Sequence, residues 1–330
     1  MRRGWSTIAI LAAVILAVAP AAAAFPAPSP APPVVPSLAE LYSTNSMELV
    51  LLERAEGPAA ALTELGRRVT AEARLEGVCH AIAHDLGHEA LDIAHGKAAK
   101  ALRYRDDVCG GGFTHGIVEV ALGESTDPAR DLLAICAPAQ DGSCFHGVGH
   151  GLMFATGMDV EKAMDLCDRS PSPTLVGRCG EGVFMQLFSA EGGAHGATPG
   201  TAPMTPAAAA SRCDRTRSPY SANCWFYAPT VWLADRPDDF DGVMRWCAQA
   251  ANGVSAEVCA RGVGSRTIKY HPEDPTIGAQ VCKHAGALKD ACLAGMGSYW
   301  SVHHKGKKPP SDVCHLLGSD ALERRCLTVT

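Results

Sequence analysis

Hydrophobic positions along this chain fall into three patterns. The first is one continuous apolar run, Ile8 to Val18, preceded by Arg2 and Arg3 and followed by small residues ending at Ala21–Ala24. That order of basic, apolar and small-residue segments predicts a secretory signal peptide over residues 1–24. The second is a Pro/Ala-rich stretch, 25–37, with no apolar period, which predicts an extended linker. The third begins near Leu38 and continues to the end. Short amphipathic stretches there close on a cysteine, as in DLLAIC (131–136), EKAMDLC (161–167) and GVMRWC (242–247), and each is followed by a glycine-bearing apolar stretch. Asp127–Pro128, Asp159 and Pro275–Thr276 stand where helices start. The pattern predicts an all-α domain over 38–330, with no strand signal and no later apolar run of 18 residues able to span a membrane.

Cysteine spacing gives these elements a period. From Cys109, every second cysteine falls at 144, 179, 224, 259, 292 and 326, with steps of 35, 35, 45, 35, 33 and 34 residues. The long step contains 191–211, a low-complexity insertion expected to be a surface loop. CFHGVG (144–149), CGEGVF (179–184), CARGVG (259–264) and CLAGMG (292–297) share a C-x-x-G core, so the chain has the marks of an internal repeat. Each unit is expected to be two helices joined by a loop of about 7–11 residues that carries a cysteine at each end, a hairpin plan. Pairing neighbours gives Cys79–Cys109, Cys136–Cys144, Cys167–Cys179, Cys213–Cys224, Cys247–Cys259, Cys282–Cys292 and Cys314–Cys326. An even count of fourteen cysteines behind an export signal reads as a disulfide framework, not as metal ligands. Glycines 147, 149 and 151 leave two options, close helix–helix approach or an irregular loop. The first two positions recur at 262/264 and 295/297, which favours packing.

The period and hairpin plan resemble TPR and Sel1-like repeats, particularly disulfide-linked exported ones. The resemblance implies an α-solenoid with a concave face. Its N-terminal part, 38–155, is rich in histidine, and its C-terminal units occupy 212–330.

Composition excludes some functions. The formal net charge is −6, and loss of Arg2 and Arg3 with the signal peptide makes it −8, so nucleic acid is an unsuitable partner. The expected location is secreted or periplasmic, with no membrane span after cleavage. A small molecule or a peptide of the cell envelope is the expected partner.

The distinctive chemistry lies between Cys79 and His150. On a helix, His80, His84, His95 and His88 project at roughly 0°, 40°, 60° and 80°, one stripe of imidazoles. His115/Glu119 and His146/His150 repeat the i,i+4 spacing that brings two side chains together. His115 and His150 each stand six residues after their cysteine, where later copies carry Met185, Ser265 and Ser298. Glu181 matches His146 in register. A single histidine beside apolar residues is usually a hydrogen-bonded structural group, but three such pairs in three consecutive elements point to a metal centre of one or two ions. Its expected ligands are His80, His84, His88, His115, Glu119, His146 and His150, with His95 peripheral. Imidazole with carboxylate suits zinc first and then copper or iron, and Met153, Met158 and Met185 keep copper open. Asp85, Glu89 and Asp92 are expected on a solvated flank. No HExxH, G-x-S-x-G or phosphate-loop motif is present. Three functions stay open: a metal-dependent enzyme, hydrolytic with zinc or oxidative with iron or copper; a metal carrier; and an interaction scaffold with structural histidines. The aromatic residues Trp225, Phe226, Tyr227, Trp232, Trp246, Tyr299 and Trp300 are expected mainly to fill core.

Overall fold

The structure, a computed structural model, describes residues 36–137, 141–188, 204–303, 315–316 and 319–327. The expected signal peptide, almost all of the linker, most of the insertion and the Cys314 partner of Cys326 lie outside the described residues. Among those described, every regular element is a helix.

Two helices lead in: α1 (Leu38–Glu56) and α2 (Pro58–Ala71). Ser37 and Glu40 form a reciprocal capping box at the start of α1, satisfying two backbone donors that the first turn leaves unpaired. A series of helices follows in which α3 (Glu76–Ile93), α5 (Gly112–Gly123), α7 (Gly142–Ala155), α9 (Pro173–Phe188), α11 (Tyr220–Tyr227), α14 (Gly253–Tyr270) and α16 (Lys289–His303) pack one against the next. Between them run α4 (Ala98–Ala101), α6 (Pro128–Cys136), α8 (Val160–Cys167), α10 (Pro206–Arg215), α12 (Pro229–Asp235), α13 (Phe240–Cys247) and α15 (Pro275–Lys283), and α17 (Asp320–Leu327) comes last. Asp127 and Asp159 cap α6 and α8 as expected, each accepting from the backbone N–H three residues on. Pro206–Ser211, expected in the inserted loop, instead form the first turns of α10, capped by Thr205.

Six of the expected disulfides form: Cys79–Cys109, Cys136–Cys144, Cys167–Cys179, Cys213–Cys224, Cys247–Cys259 and Cys282–Cys292. Most link the end of a short helix to the first turns of the next long one. The true connections are shorter than the 7–11 residues expected, because Cys144 and Cys179 already belong to α7 and α9. In the chain-entropy account each short closure adds about 2–3 kcal/mol.

The glycines settle how the long helices meet. A Cβ on Gly116 would collide with the carbonyl oxygen of His84, one on Gly182 with that of His146, one on Gly149 with that of Cys179, one on Gly264 with that of Cys292, and one on Gly295 with that of Arg261. These residues lie inside continuous helices, so they serve packing and not loop geometry. His84 faces Gly116, and His80 faces Gly112, so contacts advance in the same direction along both helices and the two run parallel. The end of the series also returns to its start. Gly77 lies against the Lys269 carbonyl of α14, and α16 reaches the 3-10 turn Val108–Gly111. An open TPR- or Sel1-like solenoid is therefore not established by these contacts.

Helix α1 is fixed to α3 by polar groups. Asp85 accepts hydrogen bonds from the Tyr42 hydroxyl at 2.7 Å and from Ser46, and Arg54 grips Glu89 through two N–H groups at 2.7 and 2.8 Å. Asp85 and Glu89, expected on a solvated flank, thus bind α1. Beside them Glu53 is fully buried, and neither carboxyl oxygen has a hydrogen-bond partner. Burial, reinforced by Glu89, pushes its carboxyl up to about 8.

Gly182→Ala should cost about 3 kcal/mol or more or abolish folding, because the obstructing atom is backbone. Gly177→Ala, where a Cβ meets nothing within 4 Å in the same helix, should be neutral or stabilise by up to about 1 kcal/mol in urea unfolding. The raised Glu53 carboxyl makes the folded state bind more protons than the unfolded state between the ordinary carboxyl value and about 8. Stability should therefore fall as pH rises through that window, by roughly 1–3 kcal/mol, and Glu53→Gln should flatten the slope.

Candidate metal centre

Parallel packing with a one-unit shift sets the site. Because His84 backs onto Gly116 and His115 onto Gly147, side chains one turn away on α3, α5 and α7 point into one common space. Five rings meet there. Centroids lie 4.9 Å apart for His80 and His84, 5.1 Å for His80 and His115, 5.3 Å for His84 and His150, 4.6 Å for His115 and His146, and 5.1 Å for His146 and His150. His84 and His150 are fully buried, and the other three are at most 9 % exposed.

The nitrogen positions fall into two groups that share His84. In the first, His80 Nε2 lies 3.2 Å from His84 Nε2 and 3.3 Å from His115 Nδ1. In the second, the other nitrogen of His84, Nδ1, lies 3.1 Å from Glu119 Oε2, and His88 Nε2 lies 3.6 Å from Glu119 Oε1. Around them stand groups that orient the rings. The Cys109 carbonyl accepts from His80 Nδ1 at 2.8 Å, Gln186 Oε1 lies 2.9 Å from His150 Nδ1, the Ser143 hydroxyl 3.1 Å from His115 Nε2, and Glu181 Oε2 3.7 Å from His146 Nδ1. Such partners on the far nitrogen fix tautomer and ring orientation in metal sites. His146 Nε2 is buried with no hydrogen-bond partner.

Neutral imidazoles beside an ionised Glu119 do not satisfy this arrangement. With Nδ1–H of His80 donated to Cys109, its Nε2 has one lone pair, yet the nitrogens of both His84 and His115 point at it. With Glu119 ionised, His84 carries a proton on Nδ1 to bond it and one on Nε2 to bond His80, which makes it an imidazolium among four other rings; the neutral alternative needs a protonated Glu119 that donates to His84 Nδ1. A cation among the nitrogens removes the conflict, since each then offers a lone pair. The donor set of imidazoles with one carboxylate fits zinc, copper or iron.

Electrostatics differ across the site. Burial and the neighbouring His146, His80, His84 and His150 hold His115 well below the usual imidazole range. Burial also opposes charge on His88, but Glu119, followed by Asp85 and Asp92, outweighs it and raises that imidazole. At Glu181 burial is likewise overcome, by His146 and Arg178, and its carboxyl is lowered.

All seven expected ligands are thus brought to one region, His88 at its edge with Glu119. His95 is not among them. Helix α3 ends at Ile93, and His95 adopts a left-handed φ of 55°, so the stripe stops a turn short of it. Met153, Met158 and Met185 pack with the hydrophobic core, which removes their argument for copper. Ser143 and Gln186 went unnoticed in the sequence. Gln186 had a weak signal, since it directly follows the position six residues after Cys179. Of the C-terminal aromatics, Trp225 is core, and Trp232 and Trp246 pack against it beside a cleft of about 480 Å³. Comparison with family models, curated proteins and solved structures finds no match for this chain.

In chelator-treated protein, imidazole NMR should show His115 still neutral at a pH where His88 is charged. The His88–Glu119 attraction should stabilise the fold below the ordinary imidazole pKa and fade as pH rises through the raised value. The opposite order of titration would contradict this geometry.

Proposed function

We propose that this chain is an exported metal-binding protein whose buried histidine and glutamate centre serves a metal-dependent enzyme, with zinc the first candidate and copper or iron next. The observation that carries this reading is the two groups of ligand atoms on either side of His84, each converging to within 4.8 Å among buried or half-buried side chains. His80, His84 and His115 would hold one ion, with His146 and His150 beside them, and a second ion at His84, His88 and Glu119 would need His84 to give up its remaining N–H proton and bridge the two as an imidazolate. A metal with an open position lowers the pKa of bound water to give a nucleophile, or, if it is iron or copper, activates dioxygen. The disulfide framework suits an oxidising compartment, which supports export. Among the described residues no helix is long and apolar enough to cross a membrane. Burial of the rings favours a retained ion over one handed on, and so favours an enzyme over a carrier.

Protein purified from an exported preparation should hold one or two transition-metal ions per chain by elemental mass spectrometry. His84→Gln should remove most of them, because both groups use that ring, whereas His95→Gln should leave the content unchanged. Protein that is metal-free and also fails to take up zinc, copper or iron would refute the proposal. Replacing bound zinc with cobalt should give visible absorption bands that shift on adding azide if a coordination position is open.

A further inference from the structure

One strongly basic side chain on these helices is buried without an acid. Arg266, on α14, is 6 % exposed. Its Nε donates to Thr230 Oγ1 at 3.0 Å, and Nη1 donates to Ser265 Oγ at 3.3 Å. The rings of Phe226 and Tyr227 lie 5.5 and 5.0 Å from its guanidinium carbon. Among the described residues no carboxylate pairs with it. Two neutral hydroxyls and two ring faces use only part of a fork with five N–H donors, and Nη2 has no acceptor among the described residues. A buried charge that is not neutralised costs several kcal/mol, so such a group is normally paired.

A second donor stands beside it. Tyr227 is 9 % exposed, and its hydroxyl bonds to no described residue, although phenols of largely buried tyrosines usually find a partner. Burial and then Glu181 push this phenol up, against the pull of Arg266 and Arg178, so at neutral pH it keeps its proton and can only gain from an acceptor. Glu181 ties this corner to the histidines, since it also faces His146 and takes a hydrogen bond from Arg178 at 2.7 Å. The positions six residues after the cysteines connect the two regions along the chain: His115 and His150 at one end, Thr230 and Ser265 at the other.

We propose that Arg266 and Tyr227 form an oxyanion-binding subsite, which receives a carboxylate or phosphoryl group of the molecule acted on at the metal centre. The site itself stands on Arg266 and Tyr227 alone, and only its service to a substrate rests on the proposed metal-dependent function. The planar fork suits two oxygens of one anion, with the phenol donating to one of them.

Isothermal titration of the full chain with inorganic phosphate and, separately, with acetate should be run on both chelator-treated and metal-loaded protein. Binding of at least one anion is expected with a Kd below about 10 mM in both forms, and the tighter anion indicates which group the substrate carries. Arg266→Gln should weaken it by about tenfold or more, Arg266→Lys should keep part of it, and Tyr227→Phe should weaken it severalfold at unchanged ring packing. Metal content should stay at the wild-type level in all three. Without anion, Arg266→Gln should be no less stable than wild type, since it removes an unpaired buried charge. If Arg266→Gln fails to fold, Tyr227→Phe and Arg266→Lys carry the test. No binding of either anion, binding indifferent to these variants, or binding that appears only with metal would overturn the subsite. Anion binding in a protein that takes up no metal would retain the subsite and reject the metal-dependent function.

Discussion

Contact of one helix backbone with the next, without intervening side chains, is the constraint on which the rest of this structure depends. At Gly116, Gly149, Gly182, Gly264 and Gly295 there is no room for even a methyl group, because the neighbouring carbonyl occupies its place. Each glycine lowers intrinsic helix stability by about 1 kcal/mol relative to alanine. Packing and disulfides must offset that loss, and the two act at the same place. Cys79, Cys144 and Cys179 lie in the first turns of α3, α7 and α9, a turn or so from the glycines that need their neighbours held close. Five of the bonds hold a helix of the series to the helix just before it, and Cys79–Cys109 ties α3 to the 3-10 turn that leads into α5, so the glycine faces meet in a fixed register.

That register decides the chemistry. Helices in backbone contact bring side chains on the flanking turns nearer than ordinary ridge-and-groove packing at 8–10 Å between axes would allow. Five imidazoles can therefore share one space with ring centroids about 5 Å apart. The same closeness turns nitrogens of both His84 and His115 toward His80 Nε2, a convergence of lone-pair positions that suits a cation. Glu119 adds the one carboxylate in direct contact, and the orienting partners Cys109, Ser143, Glu181 and Gln186 come from helices or turns next to those they serve.

Charge is distributed unevenly over the linked polar positions. His80, His84, His115, His146 and His150 offer lone pairs for a cation, whereas Arg266 and Tyr227 offer donors for an anion, with Glu181 and Arg178 between the two regions. The anchoring of α1 to α3 through Asp85 and Glu89 is a separate matter of stability. Its buried Glu53 makes that junction sensitive to pH.

Much was determined by the sequence alone. Periodic cysteines, caps such as Asp127 and Asp159, and the C-x-x-G text were enough to predict an all-helical chain with neighbouring disulfides, because these are local matters of spacing and backbone chemistry. The seven candidate ligands were legible for the same reason, as i,i+4 pairs on three helices. What tertiary structure decided was everything that depends on how one helix meets another. Sequence favoured packing for Gly147 and Gly149 and set His95 at the periphery, but it could not show the carbonyls those glycines meet, and it could not turn Asp85 and Glu89 from solvent toward α1. Nor could it show Ser143 and Gln186 beside the rings, or Arg266 buried without an acid. A residue's spacing fixes its direction on its own helix, but its partners belong to neighbouring helices whose distance is set by backbone contact.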